Sequence, residues 1–432
     1  MSAPRFFATA DPGPAGLPLI APWRRVPLDP DYAGSWLVTG DLDGDGRAEI
    51  VSARNVNMGD VHHTSAVAVH DLDGSVRWRW GQPGSLGRPG FHHDVACQIH
   101  DWDDDGQLEV IICTEGFLVE LDGATGAEKR RLPIPPGATD CLVFLDLSGQ
   151  GRAGDVLVKD RYDTIWAMDR DGRVRWQVHR PGDYLTAHQP LPVDVDGDGR
   201  DEVVAGYALL GPDGDTRWVL ANEGRFTGKG HLDCARALVP GDRPADWRLA
   251  LTCCGDGRLM VVDGLGQVCW EYAGPHYESI DIGRIHPGVA GPQLAVDVVP
   301  HTGQPGNEIW TYSATGEWLG RLAVGYGRFH TLVDWDGDGL DEIVVPHARG
   351  LFDHQGRRLA TFAMESQVDL YGGAPYEQGE VGNTVLRGDL DGDGVADLVL
   401  TAPAAAYVFT NPSPAGTTAP AGQGSGVNFT FY

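Results

Sequence analysis

Residues 334–345 read DWDGDGLDEIVV, with five carboxylates in the first nine positions and an apolar run behind them. Like charges at that density repel one another unless a cation lies among them. Acids at relative positions 1, 3, 5 and 9, with glycine at 6, follow the ligand order of a calcium loop, in which position 7 offers its backbone carbonyl. In a helix-flanked calcium loop the last acid falls at position 12. Here it falls at 9 and β-branched residues follow at once, so the flanking elements are strands.

The stretch is one of five intact copies: DLDGDGRAE (41–49), DWDDDGQLE (101–109), DVDGDGRDE (194–202), DWDGDGLDE (334–342) and DLDGDGVAD (389–397). Their expected calcium donors are Asp41, Asp43, Asp45 and Glu49, then Asp101, Asp103, Asp105 and Glu109, then Asp194, Asp196, Asp198 and Glu202. The last two turns contribute Asp334, Asp336, Asp338 and Glu342, then Asp389, Asp391, Asp393 and Asp397. Arg47, Gln107, Arg200, Leu340 and Val395 stand at the carbonyl position. Worn copies begin near Asp146, Asp242 and His286, which makes eight units at a period of 44 to 60 residues. Each continues to a glycine turn and often a tryptophan, as in VHDLDGSVRWRW and AMDRDGRVRWQV. Strand, calcium turn, strand, loop, strand, glycine turn, strand is the content of one propeller blade. The pattern resembles the FG-GAP repeat of calcium-stabilised β-propellers, which implies eight four-stranded blades, or seven if one worn unit is an insertion. APWRRVPL (21–28) reads as an orphan outer strand able to complete the last blade.

Composition agrees with an all-β chain, since 60 Gly and 29 Pro among 432 residues leave little room for helices. A net charge of −28 argues against nucleic acid and against an anionic membrane surface as partners. Seven cysteines without a CxxC pair do not form a complete disulfide framework, and the vicinal Cys253–Cys254 pair reads as strand filler. No stretch is apolar enough to span a membrane, and the first residues carry no secretory core, so a cytoplasmic location is expected unless a leader has been removed. Residues 1–20 read as an N-terminal extension, 21–411 as one propeller, 412–426 as a flexible linker and 427–432 as a final strand. A monomer is expected.

With the first strand of each unit innermost, the loops leading into it and the loops between second and third strands share one face of the central funnel. The calcium and glycine turns lie on the other. The funnel-side loops are rich in histidine and arginine: Arg54, His63, His92, His93, Arg161, Lys229, His276, Tyr277, Tyr326, Arg328 and His330 are the expected substrate-binding residues. Such a mouth suits an anionic or sugar-like ligand. Only three lysines accompany 30 arginines, and Lys159 and Lys229 both fall in funnel-side loops.

The order GDLDGDGRAEIVSARN, VAVHDLDGSVRWRWG, GFHHDVACQIHDWDDDGQLEVI, with LVKDRYDTIWAMD and GHLDCARALVPGD, is similar to the rhamnogalacturonan lyases built on eight-bladed, calcium-rich propellers. The resemblance implies β-elimination at a uronic acid in an acidic, rhamnose-containing oligosaccharide or polysaccharide. Lys159, Tyr162, His188 and His231 are then the candidate proton-transfer groups, with Arg161 and Arg328 holding the carboxylate. Two alternatives stay open. One is a non-catalytic propeller that binds a glycan or protein. The other is a glycoside hydrolase, for which Glu278, Asp281 and Glu380 are the available acids.

Overall fold

Inner strands such as Glu109–Thr114 and Asp140–Leu145 are buried at every position, whereas outer strands such as Val174–His179 alternate toward solvent. A sheet covered on both faces by its neighbours near an axis, and less so at the rim, requires that contrast. The computed structural model describes residues 5–6, 16–34, 36–57, 62–83, 88–89, 96–228, 230–274, 276–299, 307–325, 329–364, 367–368, 384–402, 404–413 and 416. Among them are eight antiparallel meanders of four strands, and the first strand of each touches the first strand of the next until the ring closes. The protein is an eight-bladed β-propeller.

Blade 1 comprises Trp36–Gly40, Glu49–Asn57, His62–His70 and Val76–Gly81. Blade 2 comprises Cys97–His100, Glu109–Thr114, Phe117–Asp122 and Glu128–Pro133. Blade 3 is Asp140–Leu145, Asp155–Lys159, Thr164–Met168 and Val174–His179. Blade 4 is Thr186–Val193, Glu202–Gly206, Ala208–Leu210 and Thr216–Val219. Blade 5 is His231–Val239, Arg248–Cys254, Arg258–Val262 and Val268–Ala273, and blade 6 is His276–Gly283, Gln293–Val299, Asn307–Ser313 and Trp318–Gly325. Blade 7 is Thr331–Val333, Glu342–Val345, Gly350–Phe352 and Arg358–Phe362. Blade 8 takes Val385–Gly388, Asp397–Ala402 and Ala405–Phe409 from the C-terminal side, and its outer strand is Arg24–Pro27. The orphan strand in 21–28 therefore closes the ring. Leu19–Ile20, within the segment read as an extension, adds a parallel strand to blade 7. Of the expected linker and final strand, all but 412, 413 and 416 lie outside the described residues.

The recurring glycine turn and tryptophan have one explanation. The indole Nε1–H of Trp78 donates to the Gly123 carbonyl at 2.7 Å, that of Trp176 to Pro212 at 3.0 Å, and that of Trp218 to Gly264 at 3.0 Å. Each bond runs from one blade's outer strand to the glycine turn of the next. Gly214 has φ +81°, and a Cβ on it would stand 2.8 Å from the Trp176 ring. Both the turn and the indole above it require glycine.

Candidate functional site

The five acidic turns share one local structure. In the first, Asp41 accepts the N–H groups of Gly44, Asp45 and Gly46, and Asp45 accepts that of Arg47. Glu49, on the following strand, accepts the Leu42 N–H at 2.8 Å. Trp102–Glu109, Val195–Glu202, Trp335–Glu342 and Leu390–Asp397 repeat that last bond. The position-7 residues Gln107, Arg200, Leu340 and Val395 each donate to the acid two positions earlier. Donor oxygens of Asp41, Asp43 and Asp45, of Asp101, Asp103 and Glu109, and of Asp194, Asp196 and Glu202 lie within 4.8 Å of one another. Burial pushes Glu49, Glu202 and Glu342 up to about 7 and Asp397 up to about 6, with neighbouring turn acids adding to the rise. A cation in the turn would return these carboxyls to the ionised form. The residues present fit calcium.

On the opposite face, a second group assembles from blades 3 to 6. Tyr162, in the second loop of blade 3, lies 5.3 Å from the His188 ring and 5.0 Å from the His231 ring, centroid to centroid. The two imidazoles are 4.7 Å apart and edge-on. They come from the first strands of blades 4 and 5, where the ring geometry places them side by side. Arg161 stacks 4.9 Å over Tyr162. Asp233 reaches His231 Nε2 at 3.0 Å and His188 Nε2 at 3.6 Å. Cys254 Sγ is in hydrogen-bond contact with His276 Nε2, whose Nδ1 faces Glu278 at 3.2 Å. His188, His231 and Asp233 form one potential metal-ligand group, and Asp233, Cys254 and His276 a second.

Sequence reasoning missed Asp233 and misread Cys254. Strand periodicity held the signal: His231 and Asp233, like His276 and Glu278, are two positions apart and share a strand face. Vicinal cysteines on a strand point to opposite faces, so Cys253 packs into the core against Met260 while Cys254 meets His276.

The other expected residues are dispersed. Lys159 is 1% exposed and donates from Nζ to the Arg161 carbonyl at 2.6 Å. Arg54 donates to the carbonyls of Asp31 and Ala33, so it braces the segment leading into blade 1. His63 is half-buried on the third strand of that blade. Both stand across the ring from blade 5. Tyr277 is no funnel residue: 1% exposed, it packs edge-on to Trp310 in the core. His330 is likewise buried, with Nε2 on the Ala295 carbonyl at 3.1 Å. Tyr277 sits at an inward-pointing position of blade 6's first strand, which belongs to the core between blades, and a loop-based reading overlooks that. Asp281 accepts the Thr331 hydroxyl and the Leu332 N–H, both at 2.8 Å, and binds blade 6 to blade 7. His92, His93, Lys229, Tyr326, Arg328 and Glu380 lie outside the described residues.

Fold and turns define a propeller with FG-GAP character, and the FG-GAP repeat matches residues 381–426. The chain is further similar to rhamnogalacturonan lyases. Rhamnogalacturonan endolyase YesW of Bacillus subtilis (strain 168) is 26% identical over 229 residues. That match spans 49% of this chain and only 31% of the relative's length. The solved Bacillus licheniformis rhamnogalacturonan lyase PL11 superposes with a TM-score of 0.62 at 19% identity, over 90% of this chain and 75% of that one. The exotype rhamnogalacturonan lyase YesX gives 0.57 at 18% identity, over 90% and 75%. The V. cholerae biofilm matrix protein Bap1 gives 0.59 at 13% identity, over 92% and 91%. At such identities the structural likeness concerns the fold.

Proposed function

We propose that this protein is a polysaccharide lyase that cleaves a rhamnose- and uronate-containing glycan by β-elimination, with calcium holding its turns. The observation that carries the reading is the convergence of Tyr162, His188 and His231, under Arg161, at one mouth of the ring. β-Elimination needs the uronate carboxylate neutralised, the C5 proton removed and the C4 glycosidic oxygen released. Arg161 supplies positive charge and, with the imidazoles, donors for the carboxylate, and Tyr162, packed against both imidazoles, is the proton-transfer group. Lys159 donates one ammonium N–H to the Arg161 carbonyl, which positions the loop that carries Arg161 and Tyr162. His188, His231 and Asp233, with Cys254 and His276 beside them, would also hold a divalent cation, whose chemistry there is charge neutralisation.

The chain as a whole is strongly acidic, so attraction of a uronate must be local to this mouth. A short acidic oligosaccharide fits that better than a long polymer. Incubation with rhamnogalacturonan and ulvan-like oligosaccharides tests the reading through the ultraviolet absorbance of the unsaturated uronate product. New reducing ends without that absorbance would mean a hydrolase. Neither signal, with retained binding, would favour a non-catalytic propeller. Rapid early loss of viscosity on long polymer would replace the oligosaccharide preference with internal cleavage.

A further inference from the structure

In blades 1 to 7 the outer strand carries a β-bulge at the same place. The residues skipped by the ladder are Arg77, Lys129, Arg175, Arg217, Cys269, Leu319 and Leu359. A bulge re-aims the side chain it displaces. In the first three blades the aim is the acidic turn of the same blade. Arg77 contacts Asp43, reaches Glu49 at 3.3 Å and is held by Asp71 at 2.6 Å. Lys129 Nζ lies 2.7 Å from Asp103, 3.4 Å from Asp105 and 2.7 Å from Glu109. Arg175 sits 2.8 Å from Asp155, which takes the place of the last acid in the worn third turn, and 2.7 Å from Ser148 Oγ.

These contacts are with the carboxylates that a calcium ion would need. We infer that Arg77 and Lys129 act as tethered cations that occupy the turns of blades 1 and 2 in place of calcium, and that Arg175 does so in blade 3. Calcium binding is then confined to blades 4, 7 and 8. In blade 4, Arg217 forms its ion pair with Asp215 at 3.5 Å rather than with a turn acid, although its charge is felt at Glu202. Blade 7 has apolar Leu359 at the bulge, and blade 8 has no bulge, because Arg24–Pro27 pairs in unbroken register. Blades 5 and 6, whose turns have lost the acidic motif, carry Cys269 and Leu319 at that position. A basic residue at the bulge thus meets turn acids in blades 1 to 3, while the intact turns of blades 7 and 8 have no basic residue there. A built-in cation also explains why two turns can keep intact acidic motifs yet need no ion: an ammonium or guanidinium offsets the mutual repulsion without the entropy of capturing one.

The inference rests on the calcium reading of the turns and is independent of lyase activity. Its test is calcium stoichiometry on the chelator-stripped full chain by equilibrium dialysis and calorimetry. The wild type should take up one ion for each of blades 4, 7 and 8, and no more than four if the His188–His231–Asp233 group also binds one, against at least five if every intact turn fills. Arg77→Met and Lys129→Met should each admit one more, and the double variant two more. A wild type that fills all five intact turns, with the variants unchanged, overturns the tethered-cation role. A folded wild type that binds no calcium overturns it together with the calcium reading. The wild-type count decides even if a variant fails to fold.

Discussion

Tyr162 packs against two imidazoles and under one guanidinium, so its hydroxyl is the part of the site most cheaply removed. Tyr162→Phe keeps the ring contacts and should lower turnover by about 10²-fold or more, the usual scale for a lost proton-transfer group, with an unchanged melting temperature. Activity that survives this change would move the proton transfer elsewhere. Lys159→Met should lower stability as well as activity, since it leaves the Arg161 carbonyl without its buried donor. His70 gives a pH dependence. Its Nε2 accepts the Asp29 N–H at 2.9 Å, and burial holds the imidazole below its ordinary value. The unfolded chain therefore takes the proton first. The stabilisation is complete above about pH 6.5 and is lost as pH falls below it. His286, lowered by burial and by His354, acts in the same direction. In calcium-saturated buffer the melting temperature should fall on mild acidification, and a His70→Gln, His286→Gln double variant should flatten the slope; an unaltered slope would refute the assignment.

At the scale of the element, the blade-to-blade latch of indole and glycine turn repeats often enough to be tested singly. Trp176→Phe keeps most of the buried ring but loses the bond to Pro212, a cost of about 1 kcal/mol with a further penalty for the orphaned carbonyl. Gly214→Ala meets both a left-handed φ and the indole face, and should cost about 1–3 kcal/mol. Blade 2 has arginine where blades 1, 3, 4 and 5 have tryptophan, and Arg130 serves the same end by bonding the Arg170 carbonyl in blade 3's turn. Denaturant melts of these variants check the ranking. A Gly214→Ala protein as stable as wild type would show that the turn can shift away from the indole.

For the whole molecule, ring closure joins the two ends of the chain. Val26 is fully buried with Leu37, Ile50, Val399 and Val408, so the outer strand of blade 8 also forms the seam with blade 1. Deleting residues 1–28 should unlatch this seam and produce a sharp loss of melting temperature, measured alongside light scattering because the freed edge can pair with other chains. Chelation should also lower the melting temperature. A ligand bound to the native state alone, at a hundredfold excess over its dissociation constant, adds ~2.7 kcal/mol per site. A melting curve indifferent to both chelator and calcium would refute a stabilising role for the ion.

The acids at positions 1, 3, 5 and 9, the glycine turns, the period of the units and the closing strand in 21–28 were all legible in the sequence. Each is a local instruction or a repeat of one, and a strand, a turn and a four-stranded meander are specified by residues close together along the chain. The mouth was legible in part: the segments bearing Tyr162, His188 and His231 could be placed on one face, because the face follows from the order of strands within a blade. Which of the many basic and aromatic residues meet there was not. His188 touches His231 because first strands of consecutive blades are neighbours, Cys254 meets His276 because a strand's side chains alternate, and Tyr277 turns into the core for that same reason. The tethered contacts of Arg77 and Lys129 depend on a one-residue bulge, which composition does not reveal. The sequence by itself determined the repeating unit and its acidic turns. The tertiary structure decided which side chains face the mouth and which fill the turns, since those contacts join residues from separate strands whose register and orientation are set only when blades pack together.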